Sequence, residues 1–235
     1  MRYFKAAHTL SVIGVLVLPL FLIIPAVLGM KHVGVDLFDQ NYTGLTSSAF
    51  YLVFLAVLAT SLRFVQRFPG AQFSLVGNRF NLTAALVAAA FVVCTMVAGG
   101  ALRRAFEGSD ESAMEALNNH VAAAGSIEFV LTWLAVGVLA PIVEELVFRQ
   151  YLFTLFPYRK SIFWSIGVSA LLAIIFAVVH AQYTSPITFG IIAVISFGFG
   201  MARVITGGIL LPIMMHALVN NMSLVLMTLS PASAG

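Results

Sequence analysis

Glu144, Glu145 and Arg149 stand in the stretch PIVEELVFRQ, residues 141 to 150, inside a segment that is otherwise apolar. His180, His216 and Asn220 stand in similar surroundings further along the chain. An ionised side chain near the centre of a membrane helix costs about 2.5–3.5 kcal/mol on the insertion scale, and such residues mark function by default. Several of them in one half of a chain need compensation, which argues for a purpose. A carboxylate beside a histidine can take a proton from a trapped water, making the water a nucleophile. A second histidine and an amide are donors suited to a developing oxyanion. A Glu/His base with His/Asn donors is therefore a workable set for hydrolysing an amide, with no serine or cysteine nucleophile required.

Spacing separates these side chains into roles, because an α-helix turns about 100° per residue. Glu145 and Arg149 are four apart and lie one above the other, with the acid on the N-terminal side, the favourable order for an ion pair. Glu144 points about 100° away from Glu145 and is free to face something else. Pro141 cannot donate to the carbonyl of Gly137, which predicts a kink just before the acids. His216 and Asn220, four apart, share one helix face.

The elements that must position these groups are membrane spans. Of 235 residues, 61% are hydrophobic and 9% charged, against roughly a quarter charged in an ordinary soluble domain. Apolar runs long enough to span a bilayer fall at 9–30, 47–65, 81–102, 127–156, 161–182, 186–205 and 207–229. The expected fold is an all-α, polytopic transmembrane bundle of about seven helices. It reads as one integral membrane domain over 1–235, with a core at 127–229. The first run follows Arg2 and Lys5 as a signal peptide would, but its length and the lack of a small-x-small cleavage site predict a retained anchor. Cys94, the only cysteine, rules out an internal disulfide and reads as a packing residue.

The net charge of +3 comes from basic residues scattered over short connections, which argues against nucleic acid as a partner and for membrane orientation. With the N-terminus in the cytoplasm, Arg2, Lys5, Arg63, Arg67, Arg79, Arg149, Arg159, Lys160 and Arg203 fall on the inner side or its helix ends. Lys31, Arg103 and Arg104 fall opposite, so the positive-inside rule favours N-in and C-out. Residues 66–80 read as an interfacial connector, and 103–125 as an outer loop with a short helix after Ser109 or Asp110. Ser196 and Gly200, and the pair Gly207-Gly208, suit close helix approach. His8, His32 and His120 read as interfacial residues, and Asn221 as a neighbour on another face.

Counting about 1.5 Å per residue from a turn near Pro157 to Lys160 puts Glu144 about 20–22 Å and His180 about 30 Å above it, before tilt. From Gly207, His216 rises about 14 Å and Asn220 about 20 Å. One layer in the middle to outer half of the bilayer can therefore hold them all.

The three segments resemble the motifs of the CPBP intramembrane proteases, the family of CAAX prenyl endopeptidases and of bacteriocin-processing or Abi-like immunity proteins. Its EExxxR, FxxxH and HxxxN read here as EELVFR from Glu144, FAVVH from Phe176 to His180 and HALVN from His216 to Asn220. The resemblance implies that Glu144 and His180 activate water, that His216 and Asn220 stabilise the oxyanion, that Arg149 braces the site through Glu145, and that Phe176 shapes its wall. It implies an intramembrane endopeptidase, of glutamic or metalloprotease type, acting on a membrane-associated protein or peptide: a C-terminal tail, a leader or a sorting helix. The host would be a bacterial cytoplasmic (inner) membrane. Glu144, His180 and His216 could together hold zinc, but HExxH is absent and no cysteine lies near, so a cofactor-free site is the expectation. Two other functions fit the same residues: a proton-coupled transporter using them as a relay, for which inverted repeats are missing, and a non-catalytic membrane regulator or scaffold.

Overall fold

The computed structural model describes residues 8–17, 43–66, 73–107, 117–121 and 125–229, all helix or connection with no strand among them. The helices are α1 (His8–Val17), α2 (Thr43–Val65), α3 (Leu82–Phe106), a short α4 (117–121), α5 (Ser126–Leu155), α6 (Ile162–Val179), α7 (Pro186–Thr206) and α8 (Leu210–Leu229). Six of them, α2, α3 and α5 to α8, are long and apolar enough to cross a membrane, so the protein is a polytopic helical bundle. The seventh expected span, 9–30, is described only as α1; the rest of it lies outside the described residues, as do the expected caps Ser109 and Asp110.

Burial and exposure together reproduce what lipid demands. Large apolar side chains face outward along the spans, among them Leu86, Val87 and Val97 on α3 and Phe163, Ile174 and Val178 on α6. Cys94 is exposed on α3, so the packing expectation fails for it: its helix turns that face away from the bundle. Inside, three apolar clusters form. Val12, Leu58, Val143, Leu146 and Tyr151 join α1, α2 and α5. Ala88, Val92, Ile195, Phe199 and Met215 join α3, α7 and α8. Phe148, Phe153, Val168, Leu172 and Phe176 join α5 to α6. Helix α5 thus contributes to two of the three and stands near the centre.

Local chemistry sets the helix ends. Ser161 accepts from the Trp164 amide to start α6, and Ser185 accepts from Thr188 ahead of Pro186 to start α7. Gly207, at φ 79°, ends α7 in the left-handed conformation that glycine adopts without strain. The connector 73–80 then zips onto this turn: Ile209 donates to the Ser74 carbonyl (3.1 Å), Leu210 to Leu75 (2.8 Å), and Arg79 to Thr206 (3.2 Å). A Cβ on Gly77 would lie 2.3 Å from the Thr206 carbonyl oxygen, and one on Gly208 2.4 Å from the Gly77 nitrogen. The Gly207-Gly208 pair therefore admits a loop rather than another helix. Gly200 does serve helix approach, since its Cβ would meet Ser169 of α6 at 2.8 Å.

Helix α5 is not a uniform α-helix. Its register widens to a π turn over Ala135–Leu139, returns to α over Ala140–Glu145, and widens again over Leu146–Leu152. Pro141 explains the first widening. The Ala140 amide reaches back five residues to Ala135, and Pro141 has no amide to give, so the carbonyls of Val136 and Gly137 lose their ordinary partners. Two adjacent side chains of α8 take them up: Asn220 Nδ2 donates to Val136 (2.8 Å) and Asn221 Nδ2 to Gly137 (2.9 Å). Asn221 Oδ1 in turn accepts from the Trp133 indole at 2.7 Å. Where sequence predicted a kink, the chain makes a π turn clamped by another helix.

Candidate active site

The residues singled out from sequence come together around that distorted helix. Glu145 is fully buried and accepts through one oxygen from Arg149 Nη1 (3.1 Å) and from His216 Nδ1 (3.0 Å). Arg149, also buried, donates through Nη2 to the carbonyl (2.7 Å) and hydroxyl (2.5 Å) of Ser196 on α7. The rings of Phe148, Phe176 and Phe199 surround its guanidinium carbon at 5.6, 5.1 and 5.3 Å. A buried cation is tolerated only when paired and hydrogen-bonded, and this one is both. Because Arg149 is enclosed by the bundle, it belongs to the core and not to a loop that sets orientation.

Glu144 faces elsewhere, as the 100° step requires. Its Oε2 lies 3.9 Å from His180 Nε2 and 3.9 Å from His216 Nε2. That oxygen is buried and makes no hydrogen bond within the described residues. Its Oε1 receives a long hydrogen bond, 3.4 Å, from Tyr51 on α2.

The tautomers of both histidines follow from their other nitrogens. His180 Nδ1 sits 2.7 Å from the Phe176 carbonyl, which can only accept, so Nδ1 carries the proton. His216 Nδ1 sits against the Glu145 carboxylate and likewise donates. In their neutral forms both rings therefore turn an Nε2 lone pair toward Glu144. Phe176 fixes the two rings, lying 4.5 Å from His180 and 5.6 Å from His216, centre to centre. Phe199 stacks on the other side of His216 at 5.2 Å.

Asn220 lines the same cavity as His180 and His216, one of about 420 Å³ between α3, the end of α6, α7 and α8. One of its amide hydrogens is used on Val136. Met96, Ile191 and Ile195 supply apolar walls, and Arg103 and Arg104 line the cavity from the end of α3.

Sequence reasoning did not single out Tyr51, which carries no spacing signal toward a residue 93 positions away. Ser196, whose spacing suits helix packing, also accepts from Arg149, and Asn221, expected on another face, donates to the Gly137 carbonyl. His120 is more than interfacial: its Nε2 lies 3.3 Å from Thr132 Oγ1 and 3.8 Å from Glu128, whose carboxylate also accepts from the Gly44 amide near the start of α2.

Fold and site together define an integral, multi-pass membrane protein built around a buried cluster of acid and imidazole. Residues 126–222 match the family of type II CAAX prenyl endopeptidases described as Rce1-like, a family of peptide hydrolases, so the likeness read from the three motifs holds over this core. An Escherichia coli protein described as an uncharacterized 24.3 kDa protein is 31% identical over 90 residues, covering 38% of this chain and 41% of that protein. The match thus spans less than half the length of that relative. No solved structure matches the chain.

Proposed function

We propose that the protein is an intramembrane endopeptidase in which Glu144 and His180 activate water against a peptide bond while His216 and Asn220 hold the oxyanion. The observation that carries this is the Glu144 Oε2, buried, without a hydrogen bond among the described residues, and equidistant from two Nε2 atoms. A gap of 3.9 Å is too long for a hydrogen bond and suits one bridging water, which at about 2.8 Å from both ends subtends an angle of about 90°. Glu144 takes the first proton; the oxygen attacks the carbonyl carbon, and the proton passes to the leaving amine as the C–N bond breaks. As an oxyanion donor His216 must carry a proton on Nε2, and in that form it is an imidazolium held by the Glu145 carboxylate on Nδ1. Asn220 has its second amide hydrogen for the same task.

Zinc suits the donor types, but not these separations. Bonds of about 2.05 Å at tetrahedral angles place ligand atoms about 3.3 Å apart, whereas 3.9 Å would need angles of about 145°. Cleavage should therefore survive strong chelation, and loss restored by added zinc would count against a water bridged by Glu144.

The cavity favours one substrate class. Its walls are apolar and its α3 end carries Arg103 and Arg104, which suits an apolar tail ending in a free carboxylate better than the middle of a leader. The basic residues Arg63, Arg79, Arg159 and Lys160 gather at the opposite bundle end, which supports an N-in, C-out placement in a bacterial cytoplasmic membrane with the cavity nearer the outer face.

Glu144→Gln preserves shape and removes the base. Membrane proteomes of cells carrying the wild-type or the variant, compared for new protein termini, should differ by a set of C-terminal truncations absent from the variant, with the variant folded and equally abundant. Identical termini in the two would exclude the peptidase and leave a scaffold or regulator.

A further inference from the structure

A second site stands at the other end of the bundle. Arg203, near the end of α7, is 1% exposed and has no carboxylate partner among the described residues. Its Nε donates to the Arg149 carbonyl at 3.3 Å and its Nη2 to Gln150 Oε1 at 3.4 Å, both long. Its Nη1 is buried with no hydrogen-bond partner among the described residues. A buried guanidinium normally sits beside an anion. Arg203 instead lines a cavity of about 400 Å³ with two more cations, Arg79 and Arg159, and with Tyr158, Ser161 and Ser165. Among the described residues no acidic one lines it. Three arginines lining one cavity without a counter-charge among the described residues suit a phosphate.

The chemistry beside it says what carries the phosphate. Arg79 also lines an apolar groove of about 910 Å³ between α3, α7 and α8, walled by Val87, Phe91, Gly198, Met201 and Met215. Gly198 lets the Phe91 ring close the inner wall of this groove, since a Cβ there would lie 2.3 Å from that ring. From Leu82 to Phe91 α3 rises about 14 Å, comparable with the roughly 15 Å hydrocarbon depth of one leaflet. Val87 and Ile205, on its rim, are 65% and 55% exposed, so the groove opens toward lipid.

We infer that this site binds an anionic phospholipid, with its phosphate among Arg79, Arg159 and Arg203 and an acyl chain in the α3–α7 groove. Basic pockets between membrane helices are suited to such headgroups. The site uses none of the residues proposed for water activation, so it stands or falls independently of peptide cleavage.

The test is lipid retention by the full chain, released from detergent and weighed by native mass spectrometry after incubation with equimolar phosphatidylglycerol and phosphatidylcholine. Phosphatidylglycerol should be retained at least threefold over phosphatidylcholine. Arg79→Gln with Arg159→Gln, both at exposed positions, should lower that retention at least fivefold, while Arg63→Gln, on α2 and outside the cavity, should leave it unchanged. Equal retention of the two lipids, or retention indifferent to the double change, overturns the inference. Thermal protection by millimolar inorganic phosphate equal to that by phosphatidylglycerol would also overturn it, by showing a free-anion site without a lipid.

Discussion

Glu145→Gln tests the frame that holds His216. Glutamine keeps the shape and an acceptor oxygen for Arg149 Nη1 and His216 Nδ1, but it removes the charge opposite a guanidinium that is 1% exposed. Stranding one member of a buried ion pair costs about 3–5 kcal/mol. The three phenylalanine rings and the two Ser196 contacts around Arg149 do not depend on Glu145, which puts the expected loss at the low end, about 3 kcal/mol. Arg149→Met strands the acid instead and should cost about the same. In the double variant neither charge remains; a buried pair replaced by apolar groups of similar volume is often near neutral, and the glutamine amide that stays still has His216 Nδ1 to accept from, so the combined loss should be no greater than either single one, about 3 kcal/mol. The coupling is then about 3 kcal/mol, far above the roughly 0.5 kcal/mol scatter of independent sites. Unfolding by SDS titration in mixed micelles, followed by the fluorescence of Trp133 and Trp164, measures all four proteins. Losses that simply add would refute the claim that Glu145 and Arg149 form one electrostatic unit.

Other perturbations separate the remaining supports. Asn221→Ala removes the donor to the Gly137 carbonyl and the acceptor for the Trp133 indole, two groups whose loss costs about 1–3 kcal/mol each; the same SDS titration should show a loss of about 2–4 kcal/mol together with a shifted Trp133 emission. Gly77→Ala places a methyl 2.3 Å from the Thr206 carbonyl oxygen at a φ of 77°, so the 73–80 connector should detach from the α7–α8 turn. Limited proteolysis should then cut within that connector several times faster than in the wild type, with unchanged rates elsewhere.

How much of this was legible before any coordinates depends on whether a contact lies along one helix or between two. The Glu145–Arg149 pair and the divergence of Glu144 follow from 100° per residue, and the spans followed from hydropathy to within a few residues at most ends. Rise per residue allowed Glu144, His180 and His216 to share a depth, and they do. Tyr51, Ser196 and Arg203 act across separations of 93, 47 and 53 or 54 residues, where no periodicity points from one partner to the other. Glu128 and His120 belong with them.

The π turn is the instructive case, because a single proline carries its signal. Pro141 announces a carbonyl without its intrahelical donor at a depth where water is scarce, and such a carbonyl must find another partner. The apolar helices offer few side chains able to donate to it, and the adjacent Asn220 and Asn221 on α8 are prominent among them. Their amides dock α8 against α5 at Val136 and Gly137, and that docking carries His216, one turn before Asn220, to Glu145. The proline thus does more than bend a helix: by widening the register it exposes two carbonyls, and the asparagines that claim them set the height of the imidazole next to the acids.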